Sequence, residues 1–401
     1  MRAYSASGEE ALRAHHLLKD WAGEGLLTEA QYQRMEQETV CEFRRTNIFL
    51  RLVLFLFTLL IVAAAVALFF VVVVPNSVRQ NSGILLLVFA VVCYGAAEAA
   101  VSQARLYRYG IEEALALCSI GFLCAGMWGA FFGNGILDSR TSNRAESLVP
   151  AAGAIASLWI SRRFGLPYAF LAAMIFAVWL TVYWTSSSSA QHVIVAAFYA
   201  AALVSIVAIR PRHRMTYLNQ EYSIAEALLW LGIYVAINLQ LSSFTQHGDW
   251  RSNAPIIGEF PIPFYWATFV LIWCLPPVVL ARGLQQKDRL VIAVGAIAAV
   301  LTLATNKLYL GWQRHTWDPM LLGVLLTGIA LLVRRRLDAA PDGVLRGFTA
   351  QRLSGNDKRW LNAGSSVFGV AAPQVIAASP QPDSPLFGGG DSGGGGATSD
   401  F

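Results

Sequence analysis

Charge is scarce in this chain. Of 401 residues only 14% are charged, against roughly 25% in an average soluble domain, while 56% are hydrophobic. That balance excludes an ordinary water-soluble fold and points to a polytopic membrane protein. Cysteine is sparse too. Cys41, Cys93, Cys118, Cys124 and Cys274 form no CxxC pair, and four of them sit inside apolar runs. Neither a disulfide framework nor a thiolate metal site is expected. Enzyme signatures are missing: there is no HExxH, no GxSxG nucleophile elbow, no GxxxxGK[ST] and no strand-borne GxGxxG. The six histidines are scattered along the chain, which argues against one metal cluster, and no cofactor is expected. The net charge of +5 is spread in short clusters between apolar runs, so a nucleic-acid surface is not indicated.

Glycine and proline are both absent from Leu26 to Val74. Those two residues break helices most readily, so a near-continuous helix is expected to carry a polar head into the bilayer. Ile48–Val74 holds a single charge, Arg51, and exceeds the roughly 20 apolar residues that cross a hydrocarbon core. No small-residue cleavage site follows a short apolar run, so this stretch reads as a retained anchor. Ahead of it, residues 1–47 are expected to form a helical hairpin closed by Trp21, Leu26, Leu27 and Tyr32. Thr28 and Gln31 stand at capping-box spacing for the second helix.

Further apolar runs occupy Gly83–Ser102, Glu112–Phe132, Leu148–Ser161, Gly165–Thr185, Ala190–Ile209, Ile224–Ser243, Ile262–Ala281, Leu290–Asn306 and Pro319–Val333. The expectation is an all-α transmembrane bundle of about ten spans, residues 48–336. Leu148–Ser161 and Pro319–Val333 are short for a full crossing, so their helices extend into the flanking loops or re-enter. Basic residues test the count. With the head cytoplasmic, the inner segments collect sixteen arginines and lysines, Arg51, Arg105, Arg162, Arg210, Arg282 and Arg334 among them. The outer loops collect six, at Arg79, Arg140, Arg144, Arg251, Lys307 and Arg314. That asymmetry favours ten spans with both termini inside.

A weak repeat links Tyr109-Gly-Ile-Glu-Glu-Ala-Leu with Tyr222-Ser-Ile-Ala-Glu-Ala-Leu, four spans later, matching Glu113 to Glu226. Two lead-in helices followed by four-helix units at 103–214 and 215–336 would account for it. Residues 337–401 are rich in Pro, Gly and Ser and end in a glycine run, the composition of a disordered cytosolic tail.

Ionisable groups in a membrane are costly and are functional candidates by default. Glu98 in the second span is the foremost, with Arg105 or Arg108 as its expected partner. Glu112, Glu113 and Glu226 lie in first helical turns, where a carboxylate meets the positive end of the helix dipole. Charge placement is one role for them and a proton or cation site is the other. Asn238 and Gln240 in the seventh span, and Asn306 with Lys307 in the ninth, suit hydrogen bonding between helices. The outer loop Phe244–Pro261 carries aromatic residues suited to the interface. Pro276-Pro277 implies a helix with freed carbonyls.

The segment LLKDWAGEGLLTEAQYQRMEQE, residues 17–38, resembles the N-terminal helical segment of a broad family of bacterial multi-span membrane proteins of unknown function. Tyr309-Leu-Gly-Trp and the run from Leu321 to Arg335 resemble that family's last spans. The resemblance implies an architecture, not an activity. Two functional readings remain. One is a transporter or channel-like protein of the bacterial cytoplasmic membrane, with Glu98, Glu113, Glu226 and Asn238 along a cytoplasm-facing polar path. The other is a scaffold or sensor that binds cytosolic partners through head and tail. The lipid bilayer is the common partner of both, and self-association is compatible with either.

Overall fold

The computed structural model describes residues 3–23, 25–39, 48–72, 82–131, 146–213, 216, 218–241, 260–312, 315, 317–339, 344–345 and 348–349. The Gly-rich tail, the outer loop at 244–259 and the basic residues Arg79, Arg140, Arg144, Arg251 and Arg314 lie outside the described residues.

Two helices form the head, α1 (Ala6–Gly23) and α2 (Glu29–Glu38). Thr28 caps α2 as its spacing predicts. Its hydroxyl accepts from the Gln31 N–H, and the Gln31 side chain returns a hydrogen bond to the Thr28 backbone. Of the four residues expected to close the hairpin, Leu27 and Tyr32 are half-buried while Trp21 and Leu26 are exposed, and α2 buries no residue fully. Leu12 and Leu18 of α1 are buried instead. Ten residues of mostly polar α2 have too little apolar surface to pack as a unit.

Ten long helices follow among the described residues: α3 (Ile48–Val72), α4 (Ser82–Ser102), α5 (Ile111–Phe131), α6 (Leu148–Phe164), α7 (Pro167–Trp184), α8 (Ser188–Ile209), α9 (Asn219–Ile237), α10 (Ile262–Gln286), α11 (Arg289–Tyr309) and α12 (Asp318–Asp338). Seven of them, α3, α4, α5, α7, α8, α10 and α11, are long and apolar enough to cross a bilayer. They mark a multi-pass helical membrane protein. The other three fall short for visible reasons. α6 has 17 residues and ends in Arg162-Arg163, α9 opens on Asn-Gln-Glu-Tyr-Ser, and α12 closes on three arginines. Beyond α12 the described chain forms a two-residue antiparallel pairing, Val344–Leu345 with Phe348–Thr349.

Consecutive helices pair as hairpins, α4 with α5, α6 with α7, α8 with α9 and α10 with α11. Small residues allow the tightest approach. A Cβ on Gly83 of α4 would lie 2.1 Å from the Ala130 nitrogen of α5, so the backbones touch where other residues would hold them apart. Leu, Val and Ile side chains are exposed on the outer faces, and no described residue of α3 or α12 is buried. Such surface is expected of helices solvated by lipid, because lipid tails are as apolar as leucine.

Candidate functional site

Arginines and carboxylates meet at one end of the bundle, at the start of α3, α5, α9 and α11 and the end of α4, α6, α8 and α10. This basic end holds three ion-pair groups. In the first, the Arg51 guanidinium of α3 forks onto both Glu113 oxygens of α5, with Nε to Oε2 at 3.0 Å. Gly110 makes the approach possible. It has φ +101°, and a Cβ there would stand 2.3 Å from the Arg51 carbonyl. Glu112 caps the same helix start, accepting from the Tyr109 N–H at 2.7 Å.

Glu98 forms the second group with Arg163 at the end of α6, Nε to Oε1 at 2.5 Å, rather than with Arg105 or Arg108. The reason is helical geometry. Glu98 sits within the last turns of α4 and faces α6, whereas residues 105 and 108 lie beyond the helix with positive φ. Arg108 reaches the Gly165 carbonyl at 3.5 Å and Glu221 at 3.9 Å. Tyr94 donates to Glu98 at 3.3 Å, and Trp159 donates to Tyr94 at 2.9 Å.

The third group is centred on Arg210, where α8 tightens into a 3-10 turn over Arg210–His213. Only 9% exposed, its guanidinium donates to Glu226 at 2.6 Å, to Gln286 at 2.9 Å, to Asn219 at 3.3 Å and to Asp288. Arg282 adds a contact to Glu226 at 3.3 Å. Asp288 also caps α11 through the Leu290 N–H and accepts from Ser223 at 2.6 Å. Burial opposes ionisation of Asp288, but Ser223, Arg210 and the Leu290 N–H outweigh it and hold the carboxyl below its usual range. Four charges of balanced sign thus join α8, α9, α10 and α11.

Deeper in the bundle, α9 stops at Ile237. Asn238 turns extended, with ψ 92°, and a helical turn resumes at 239–241. The hydropathy run through Ser243 gives no sign of this break. Asn238 is fully buried and donates to the Tyr234 hydroxyl at 3.0 Å and the Thr305 hydroxyl at 3.1 Å. Tyr234 meets Thr302 at 2.9 Å, and Thr302 donates to the Ile272 carbonyl at 2.9 Å. The Leu239 N–H, released by the break, donates to the Tyr309 hydroxyl at 2.8 Å. Asn238 Oδ1 has no hydrogen-bond partner among the described residues. The part that Tyr234, Thr302, Thr305 and Tyr309 play in this cluster has no sequence signal, because hydroxyls in apolar helices carry no charge.

A cavity of about 600 Å³ opens at the basic end between α6, α7, α8 and α9. Leu166, Phe170, Ile206 and Leu228 supply apolar wall, and Arg162, His213 and Glu221 supply polar groups. Glu98, Glu113, Glu226 and Asn238 are not among its lining residues. The structure thus distributes the four sequence candidates among separate clusters instead of joining them. No group of three or more potential metal-ligating side chains occurs among the described residues. No family model, curated protein or solved structure matches the chain.

Proposed function

We propose that the chain is a ten-span transporter-like protein of a bacterial cytoplasmic membrane, with head and tail in the cytoplasm and a polar path opening to that side. The observation that carries this reading is the cavity at the basic end, one wall of which is α9, the helix that breaks inside the bundle at Asn238. Concave sites of about 300–1,000 Å³ suit small molecules, and discontinuous helices place backbone groups where solutes or ions pass in many carriers. Ten crossings are supported by the ion pairs. They join the starts of α3 and α5 (Arg51–Glu113), the ends of α4 and α6 (Glu98–Arg163) and the ends of α8 and α10 to the starts of α9 and α11 (Arg210 and Arg282 with Glu226 and Asp288) at the basic end, and Lys307 to Asp318 between the end of α11 and the start of α12. Alternate threading of α3 to α12 brings these termini together.

Hairpin pairing is consistent with a period of four, α4–α5 corresponding to α8–α9 and α6–α7 to α10–α11. That grouping is offset by one helix from units 103–214 and 215–336. A second reading, a sealed scaffold or sensor with cytosolic partners, is favoured by Glu113 and Glu226. Both carboxylates are committed to arginines, which fastens helices rather than lining a path.

Thiol labelling separates the two. In a cysteine-free background, Ala225→Cys and Leu228→Cys on the cavity wall are exposed to a membrane-impermeant reagent in vesicles of known orientation. The transporter reading expects labelling from the cytoplasmic face and protection from the other. Protection from both faces favours the sealed bundle.

A further inference from the structure

Glu112 combines deep burial with an incomplete set of partners. It is 0% exposed, and while one oxygen accepts from Tyr109, Oε2 finds no hydrogen-bond partner among the described residues. Its neighbour Glu113 already occupies Arg51. Among the described residues, Arg51 is the guanidinium paired with this carboxylate couple, since Arg108 is engaged with Gly165 and Glu221. A buried carboxylate without compensation is expensive, and taking up a proton removes the charge. Tyr168 at the start of α7 lies within electrostatic reach of Glu112, and its hydroxyl is likewise buried without a hydrogen-bond partner among the described residues.

The segment ahead of α1 covers this place. The Ala3 N–H donates to the Arg163 carbonyl at 2.9 Å. Tyr4, 4% exposed, enters a core formed by Ala97 and Val101 of α4, Ala116 of α5 and Ile160 and Phe164 of α6. Its ring meets Tyr107 edge-on at 4.8 Å, and among charged and titratable groups Glu112 acts most strongly on its hydroxyl.

We propose that Glu112 is a proton-binding site, loaded from the aqueous phase at the basic end and lidded by Tyr4. The step is simple in balance. The carboxylate takes one proton from water at that face, becomes neutral, and returns the same proton when the lid opens. The groups that set its affinity are Glu113 on α5, Arg51 on α3, Tyr107 and Arg108 in the connecting loop, Tyr168 on α7 and Tyr4. From α4 and α6 comes the pair Glu98–Arg163, each engaged with the other. The site stands whether the bundle carries a solute or is sealed.

Carbodiimides modify carboxyl groups in their protonated form, and peptide mass spectrometry locates the adduct. The full-length protein in lipid nanodiscs is treated across a pH series with an apolar carbodiimide. The expected result is modification of Glu112 at neutral pH, fading as pH rises, with Glu113 unmodified and the adduct lost in Glu112→Gln. A water-soluble carbodiimide is expected to reach Glu112 several-fold faster in Tyr4→Ala. Wild-type Glu112 unmodified at every pH would overturn the proposal without recourse to any variant. Suppression by sodium at constant pH, with no dependence on pH itself, would overturn the proton in favour of a metal cation. An unchanged rate in folded Tyr4→Ala would overturn the lid.

Discussion

The Thr302 hydroxyl on α11 donates to the Ile272 carbonyl on α10 across 2.9 Å, and Ile272 stands one turn ahead of Pro276. Proline has no N–H to offer the residue four positions earlier, so a carbonyl is left over inside the bundle. Thr302 satisfies it from the neighbouring helix. Because that hydroxyl is spent as a donor, Tyr234 donates to Thr302, and Asn238 donates to Tyr234. A proline on α10 is thereby linked to the break in α9. Thr302→Val keeps the shape and leaves the carbonyl without its donor and the Tyr234 O–H without its Thr302 acceptor, a loss of about 1–3 kcal/mol. Pro276→Ala restores an internal partner for Ile272, so the same valine substitution is expected to cost about 1 kcal/mol less in that background. Unfolding of the four proteins in detergent gives the cycle, and strict additivity would break the proposed link.

The ion pairs are expected to differ in weight. Arg210→Met leaves Glu226 with Arg282 as its paired arginine among the described residues and takes from Asp288 its buried guanidinium. Removing one partner of a buried pair costs about 3–5 kcal/mol. Glu98→Gln touches a pair whose side chains are 24% and 26% exposed, where water shares the charges and the cost is at most about 1 kcal/mol. Denaturation of both variants ranks them, and a larger effect at Glu98 would reverse this reading of burial.

Hydropathy exposed the helices and left their joints hidden. The run Gly83–Ser102 is nearly α4 itself, because α4 has neither a buried polar group nor an internal break. The two short runs prove to be cores of longer helices, α6 to Phe164 and α12 to Asp338, whose ends are arginine-rich and so drop out of an apolar count. At α9 the run Ile224–Ser243 hides a break, since Asn238 interrupts the helix and bonds to Thr305 of another helix, which no local pattern contains. Glu226 stood out as a membrane carboxylate. Its partners Arg210 and Arg282 come from other helices, and spacing along one helix does not reveal them. Asp288, a helix cap by position, became part of the same cluster only when α8 met α11.

Acid should loosen the Arg210 cluster at a definable pH. Asp288 is held below its ordinary value of 3.8, with burial opposing and Ser223 and Arg210 prevailing. A carboxyl with a depressed folded value contributes stability fully above the unfolded value and loses it as pH falls through the folded one. The contribution is therefore whole near neutrality and fades below about pH 4. Asp288→Asn is expected to lower the unfolding temperature at pH 7, with the gap to the wild type narrowing as pH falls below about 4. A gap that stays constant from pH 7 to 3 would show that Asp288 acts through shape alone.

Two glycines of the same region predict opposite outcomes. Gly110 has φ +101°, and an added Cβ would fall 2.3 Å from the Arg51 carbonyl. Alanine there is strained twice over, by its own backbone and by the contact. Relief requires α3 to move, which opens the fork between Arg51 and Glu113 and leaves that carboxylate buried beside Glu112. Gly121, in the middle of α5, meets nothing within 4 Å. Alanine there gains helix propensity of about 1 kcal/mol over glycine. Gly110→Ala should destabilise and Gly121→Ala should be neutral or stabilising when both are unfolded in the same detergent. If Gly110→Ala is harmless, α3 is not pressed against the start of α5, and the Arg51–Glu113 fork loses its structural basis.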